Sequence, residues 1–249
     1  MKKPAVIAIW LCLSFSIPTR NKITIWLIGD STMSIKDTKA YPETGWGMPF
    51  AFFWDSSVHV ENKAMNGRST RTFLDEKRWD AIVNQLKEGD YVFIQFGHND
   101  EVPSKKSYVP EKDFRTNLVK CVSETRDRKA NPILITPVAR RKFDSTGHIQ
   151  ETHSVYAQLV RDVAHEYQVP LIDLDELSKT YFQSLGPETS KLLFNYLLPG
   201  EHPNYPDGKQ DDTHFSELGA RKIAEIVLRE IRDQKLELAD RIIQPIVKN

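Results

Sequence analysis

Apolar residues along the chain fall into two alternating patterns. Short, nearly continuous apolar or β-rich runs lie at 23–28, 58–61, 91–96, 133–136 and 171–174, each with turn residues nearby. Runs of that length suit strands buried on both faces of a parallel sheet. Between them, helical patterns cover roughly 79–87, 111–128, 153–167 and 216–232. The last is the clearest: Ile223, Ile226, Val227 and Ile231 share one face, while Arg221, Glu225 and Arg229 share the other. Ser216 stands where an N-cap is needed, and Gly89 fits a helix C-cap feeding the third strand. Alternation of strand and helix signals of this kind implies an α/β protein with a doubly wound sheet. No repeat, low-complexity tract or linker interrupts residues 21–249, which therefore read as one domain.

The first twenty residues belong to a different pattern. Lys2 and Lys3 precede an apolar run from 5 to 17, which Pro18, Thr19 and Arg20 end. An apolar core this short behind two lysines reads as a secretory signal peptide, so residues 1–20 are set apart and export to a periplasm or beyond is expected. No A-x-A site is present, Ser14-Phe15-Ser16 being the nearest small-residue pattern, and Leu11 before Cys12 is too large for a lipoprotein signal. The only other cysteine, Cys121, sits in an apolar helical pattern and reads as a small core hydrophobe.

Composition narrows the function classes. The 249 residues carry 34 basic and 34 acidic side chains, with 40% hydrophobic and 27% charged residues. That balance excludes disorder and a multi-span membrane protein, and it lacks the basic stripe of a nucleic-acid binder. Neither a Gly-rich phosphate loop nor an H-E-x-x-H pair occurs, and His98 reads as a hydrogen-bonded turn residue; no metal or cofactor is expected.

Chemistry-bearing residues gather where the strands end, which is where doubly wound sheets bind ligands. The first strand runs into Gly29-Asp30-Ser31-Thr32, the second is followed by Asn66-Gly67-Arg68-Ser69, and the third runs into Gly97-His98-Asn99-Asp100. Asp211-Asp212-Thr213-His214 precedes the final helix. Each alone has a bland reading as a turn or cap. Together they supply every part of acyl transfer. Ser31 is the candidate nucleophile, His214 its base, and Asp211, three residues away, the group that orients the imidazole. The N–H groups of Ser31 and Gly67 and the Asn99 amide are candidates for the oxyanion hole.

These blocks, in this order, resemble the SGNH (GDSL-type) hydrolases, and the likeness spans nearly all of 21–249. It implies a three-layer α/β/α sandwich around a five-stranded, flavodoxin-like parallel sheet, with Ser31, Gly67, Asn99 and His214 as the name-giving residues. The ordinary α/β-hydrolase reading fails for want of a G-x-S-x-G elbow. More narrowly, Glu43-Thr44-Gly45-Trp46-Gly47, residues 66–71 and 96–100, and His202-Pro203-Asn204 with residues 211–216 resemble rhamnogalacturonan acetylesterases. That likeness implies an acetylated, acidic polysaccharide or oligosaccharide as partner. Arg68, Arg71, Lys105, Lys106, Arg140, Arg141 and Lys142 follow strand ends or motifs and could line a cationic groove for it. Trp46 could stack on a sugar. The competing readings pair Arg68 and Arg71 with Asp75 or Glu76 and bury Trp46 in the core. Other acyl esters (acetylxylan, lysophospholipid, thioester) stand as alternative substrates. A long acyl chain fits poorly with the polar loops 100–110 and 199–212, and a non-catalytic carbohydrate-binding module leaves the serine, asparagine, aspartate and histidine unexplained.

Overall fold

The computed structural model describes residues 20–244; the signal-peptide reading of 1–20, with Cys12, lies outside the described residues apart from Arg20. Five parallel strands form one sheet: β1 (Ile23–Gly29), β2 (Val58–Asn62), β3 (Tyr91–Gln95), β4 (Asn131–Ile135) and β5 (Leu171–Ile172). Their order is β2-β1-β3-β4-β5, so the chain reverses direction across the sheet between β1 and β3. Ile25 pairs with Tyr91 and Gly29 with Gln95, which brings the ends of those two strands level.

Side chains alternate across a strand, and both faces here are covered. Ile25 and Leu27 of β1, Phe93 of β3 and Ile133 and Ile135 of β4 enter one core. That core is closed by α1 (Gly47–Phe50), α6 (Leu174–Thr189) and α7 (Glu217–Asp233). Trp26, Ile28, Val92, Ile94 and Leu134 enter the other. There α2 (Thr70–Asp75), α3 (Arg78–Val83), α4 (Glu111–Asp127) and α5 (Ser154–Glu166) form the opposing layer. The result is a three-layer α/β/α sandwich, as the pattern and the resemblance implied. Cys121 lies buried in the second core, and burial pushes its thiol up to about 12. No helix among the described residues is long and apolar enough to cross a membrane.

Three local expectations are corrected. The helix read over 79–87 stops at Val83; Gly89, at φ +87°, caps a later turn and donates its N–H to Lys129 O. The fifth strand is only two residues long, because Leu174 already opens α6. That helix has no clean apolar stripe in the sequence: Asp175, Ser178 and Lys179 are buried among its core residues, and Gly186 at φ +72° kinks it before Pro187.

Candidate active site

Ser31 stands two residues beyond β1, in a turn that Asp30 shapes. Asp30 is fully buried, and its Oδ1 accepts from Thr32 N at 2.9 Å and Thr32 Oγ1 at 2.8 Å. Thr32 Oγ1 also accepts from Gln95 Nε2 at 2.8 Å, and Gln95 Oε1 accepts from Trp46 Nε1 at 2.7 Å. Buried polar groups persist where they are paired, and this chain locks the nucleophile turn to the end of β3. Trp46 is wholly buried and T-packed on Phe50. The stacking platform is thus corrected to a core residue, with no face for a sugar.

His214 precedes α7, whose N-cap Ser216 accepts from Gly219 N at 3.2 Å. Its Nε2 lies 2.9 Å from Ser31 Oγ, and its Nδ1 lies 2.9 Å from Asp211 Oδ2. The other oxygen of Asp211 accepts from the N–H groups of Thr213 at 2.8 Å and His214 at 3.0 Å. Burial pushes the Asp211 carboxyl up, but the hydrogen bond and charge of His214 and these two N–H groups outweigh it. The carboxyl is held far below the usual carboxylate range. Asp212 turns away: its Oδ1 meets Arg141 Nη1 at 2.6 Å and accepts from Tyr196 OH at 2.6 Å. Phe215, fully buried, bridges to both Thr44 and Phe194, which anchors the histidine from behind.

Across Ser31 lie Gly67 and Asn99. Gly67 is at φ +75°, a conformation that glycine adopts without strain. The backbone N–H groups of Ser31 and Gly67 find no protein acceptor among the described residues. Asn99 donates one Nδ2 hydrogen to Arg68 O at 3.0 Å, which fixes the amide and leaves its second hydrogen available. Gly97 sits at φ +144° against Pro137, where a Cβ would come within 2.9 Å of the proline ring.

A cleft of about 410 Å³ opens over Ser31, Asn99 and His214, lined also by His98, Lys105, Arg140 and residues 210–213; Gly67 is not in its lining. Beside it, a hollow of about 500 Å³ has Gly67, Arg68, Asn99, Lys105 and Lys106 in its walls. The basic candidates therefore part company. Lys105 reaches both spaces, its Nζ 3.5 Å from Asn99 Oδ1. Arg140 donates to Thr213 Oγ1 at 2.8 Å and pairs with Glu101. Arg68 lines the hollow while pairing with Glu76 at 3.1 Å. Arg71 holds the loop carbonyls of Lys106 and Tyr108, and Lys142 lines neither space. Arg141 is corrected to a buried tie between Asp212, Ser190 and Tyr196.

The residues around this site include several that sequence reasoning missed. His98 sits in a hydrogen-bonded turn as expected, closed by Glu101 N–H on Gly97 O at 3.0 Å, but its ring is buried edge-on to His153, the ring centroids 4.3 Å apart, and neither of its ring nitrogens has a partner among the described residues. Burial, then the charges of His153 and Arg140, hold it well below the usual imidazole range. Asp100 buries its Oδ1 against Thr70 N at 2.8 Å and Thr70 Oγ1 at 2.7 Å, and burial pushes its carboxyl up to about 7. Lys36 and Glu43 form a 2.8 Å ion pair next to the histidine. Ligand-type atoms of Glu43, Asp211 and His214 lie within 4.8 Å of one another, but Lys36 holds the first and the other two hold each other. The second such group, Glu151, Asp175 and Glu176, is bridged by Lys179. No local motif marks Lys36; Glu43 opens the block Glu43-Thr44-Gly45-Trp46-Gly47, but nothing in the sequence gave it a role at the site.

Comparisons with known proteins bear on the family and the fold. The profile of the GDSL-like lipase/acylhydrolase family matches residues 27–222. A rhamnogalacturonan acetylesterase of Bacillus subtilis is 40% identical over 90% of this chain and 96% of its own length. One from Emericella nidulans is 46% identical over 86% of this chain and 87% of its own. Among solved structures, the YxiM protein of Bacillus subtilis superposes with a TM-score of 0.75 at 29% identity, over 88% of this chain and 58% of that one. An acetylxylan esterase from Geobacillus stearothermophilus shares the fold, with a TM-score of 0.57 at 21% identity over 85% of this chain and 94% of that one. The chain belongs to the GDSL-like lipase/acylhydrolase family and is a carboxylic ester hydrolase.

Proposed function

We propose that the protein removes O-acetyl groups from acetylated rhamnogalacturonan, with Ser31 as nucleophile. The observation that carries the mechanism is the continuous line from Ser31 Oγ through His214 to Asp211, with both hydrogen bonds at 2.9 Å. His214 Nε2 takes the Ser31 proton as Oγ attacks the acetyl carbonyl. The negative charge that develops on the carbonyl oxygen is met by the Ser31 and Gly67 N–H groups and by Asn99 Nδ2. Asp211, held ionised, stabilises the imidazolium. The tetrahedral intermediate collapses as His214 returns the proton to the departing sugar hydroxyl, leaving acetyl-Ser31. Water, deprotonated by the same histidine, then releases acetate and restores the serine.

The substrate reading rests on the names of the related acetylesterases and on the lining of the cleft. Its walls are serine, histidine, asparagine, lysine, arginine, glutamine, aspartate and threonine, which suit an acetyl group on a sugar better than a long acyl chain. Lys105 and Arg140 at its rim suit the carboxylates of an acidic polymer. The reading includes a single catalytic domain over 21–249 and export by segment 1–20, which N-terminal sequencing of the protein recovered from the medium or periplasm tests.

Acetate release from acetylated rhamnogalacturonan and acetylated xylan, beside fatty-acid release from a long-chain acyl ester, measured for wild type and Ser31→Ala, tests the whole. Serine-dependent preference for the pectic substrate is the expected result. Serine-dependent preference for another ester would keep the mechanism and overturn the substrate.

A further inference from the structure

Lys36 lies five residues beyond the nucleophile, its side chain 2% exposed. A lysine ammonium has three hydrogens to place, and here each has a distinct acceptor. One goes to the carbonyl of Ser31 at 2.5 Å, one to Asn66 Oδ1 at 2.9 Å and one to Glu43 Oε1 at 2.8 Å. Each acceptor belongs to a different part of the site. Ser31 carries the nucleophile. Asn66 immediately precedes Gly67, and its Oδ1 also accepts from Ser34 Oγ at 2.5 Å, so the oxyanion arm is tied to the nucleophile turn twice. Glu43 brings a carboxylate oxygen within 4.8 Å of ligand-type atoms of Asp211 and His214.

We propose that Lys36 is a positioning residue: it fixes the spacing between Ser31 and the Asn66–Gly67 arm, and its charge balances the carboxylates around His214. The inference rests on the mechanism proposed above. Attack requires the serine oxygen and the oxyanion donors to keep one separation while charge moves from Oγ to the carbonyl oxygen. Two hydrogen bonds from one buried ammonium set that separation without contact with the substrate. Burial works against the charged ammonium, and Glu43, Asp30 and Asp211 work for it. A neutral side chain of the same length would leave Glu43 unpaired near the imidazole. The charged and titratable groups facing His214 are then Asp211, Glu43 and Asp30 on the negative side, with Lys209, 3.6 Å from Asp211, and Arg140, bonded to Thr213, on the positive side, and the imidazole of His98 in the same cleft.

The test uses full-length enzyme and 4-nitrophenyl acetate, with kcat, KM, pH–rate profile and melting temperature measured for each variant. Lys36→Met is expected to lose about 10²-fold in kcat with KM nearly unchanged. Its acidic limb should move to higher pH, because the imidazolium gains from the uncompensated Glu43. Glu43→Gln keeps the ties to Ser31 and Asn66, so it should retain most of kcat and move that limb the other way. The double variant should bring the limb back without restoring kcat. A folded Lys36→Met with kcat within about threefold of wild type, or with its loss confined to KM, overturns the role. If Lys36→Met does not fold, the exposed Asn66→Ala decides: about a tenfold loss of kcat supports the role and no loss overturns it. Ser31→Ala runs alongside. Full activity there would overturn the triad and Lys36 with it, whereas an inactive Ser31→Ala beside an unaffected Lys36→Met overturns Lys36 alone.

Discussion

Residues 211–214 and the basic residues around the cleft are both sets of polar side chains near Ser31, yet they were legible to very different degrees. Within 211–214 the contacts that orient the imidazole are local. Asp211 reaches the N–H of Thr213, the N–H of His214 and the imidazole, none more than three residues away. The basic residues find partners that the sequence places far off. Arg140 meets Glu101 and Thr213, Arg141 meets Asp212 and Ser190, and Arg71 meets the loop at 106–108. The adjacent Arg140 and Arg141 even end on opposite sides of burial, one at the cleft and one inside the protein. Short spacing fixes geometry; charge alone does not fix destination.

The sharpest way to break this comparison is to exchange the two neighbouring aspartates. Asp211→Asn should lower kcat by about 10³–10⁴-fold, because an amide holds the imidazole less well and cannot stabilise its cation. Asp212→Asn should stay within about tenfold, since that carboxylate serves Arg141 and Tyr196. Equal losses, read from steady-state kinetics on one acetate ester, would mean that the three-residue spacing does not choose between them.

Next in size is the oxyanion side. Asn99→Ala should cost about 10²–10³-fold in kcat with little change in KM, as expected for a donor used in the transition state. A change in KM alone would move Asn99 into ground-state substrate binding.

A smaller effect sharpens the division among the basic residues. Lys105→Ala should raise KM about three- to tenfold on an acidic acetylated oligosaccharide at low salt, and the difference should fade as salt is added. On 4-nitrophenyl acetate the same variant should keep its KM. Arg141→Ala should instead lower the melting temperature, because it strips buried Ser190 and the Pro187 carbonyl of their partner.

A separate effect, on stability rather than on catalysis, concerns Asp100. Its carboxyl, raised by burial to about 7, stays protonated in the folded chain over a range where the unfolded chain gives the proton up. The folded state therefore binds more protons than the unfolded state between about pH 4 and pH 7, and this contribution to stability is lost as pH rises through that window. Asp100→Asn keeps an acceptor for Thr70 and removes the titration. Its melting temperature should fall less than that of wild type between pH 5 and pH 8; parallel falls would place the titration elsewhere.

The fold was largely open to sequence reading because most strands are nearly continuous apolar runs and most long helices carry an apolar face. It failed where those signals fail: α6 hides its apolar side behind buried Asp175, Ser178 and Lys179, and β5 is too short to separate from the helix that follows. At the site, the blocks at 29–31, 66–67, 97–100 and 211–214 were visible because turns demand particular residues. Trp46 was ambiguous for the opposite reason. An aromatic ring suits a sugar and a core equally well until Gln95, 49 positions away, supplies the partner for its indole.

By itself the sequence determined the alternation of strands and helices, the turn chemistry at the strand ends and the pairing of Asp211 with His214, all consequences of interactions among near neighbours. Only the tertiary structure decided that Ser31 and His214, 183 residues apart, meet at 2.9 Å, and which basic side chains reach the cleft. It alone joined Lys36 to Ser31, Asn66 and Glu43. The reason is physical: a side chain's partner across the fold is set by strand order and register, and those emerge only when the whole core is packed.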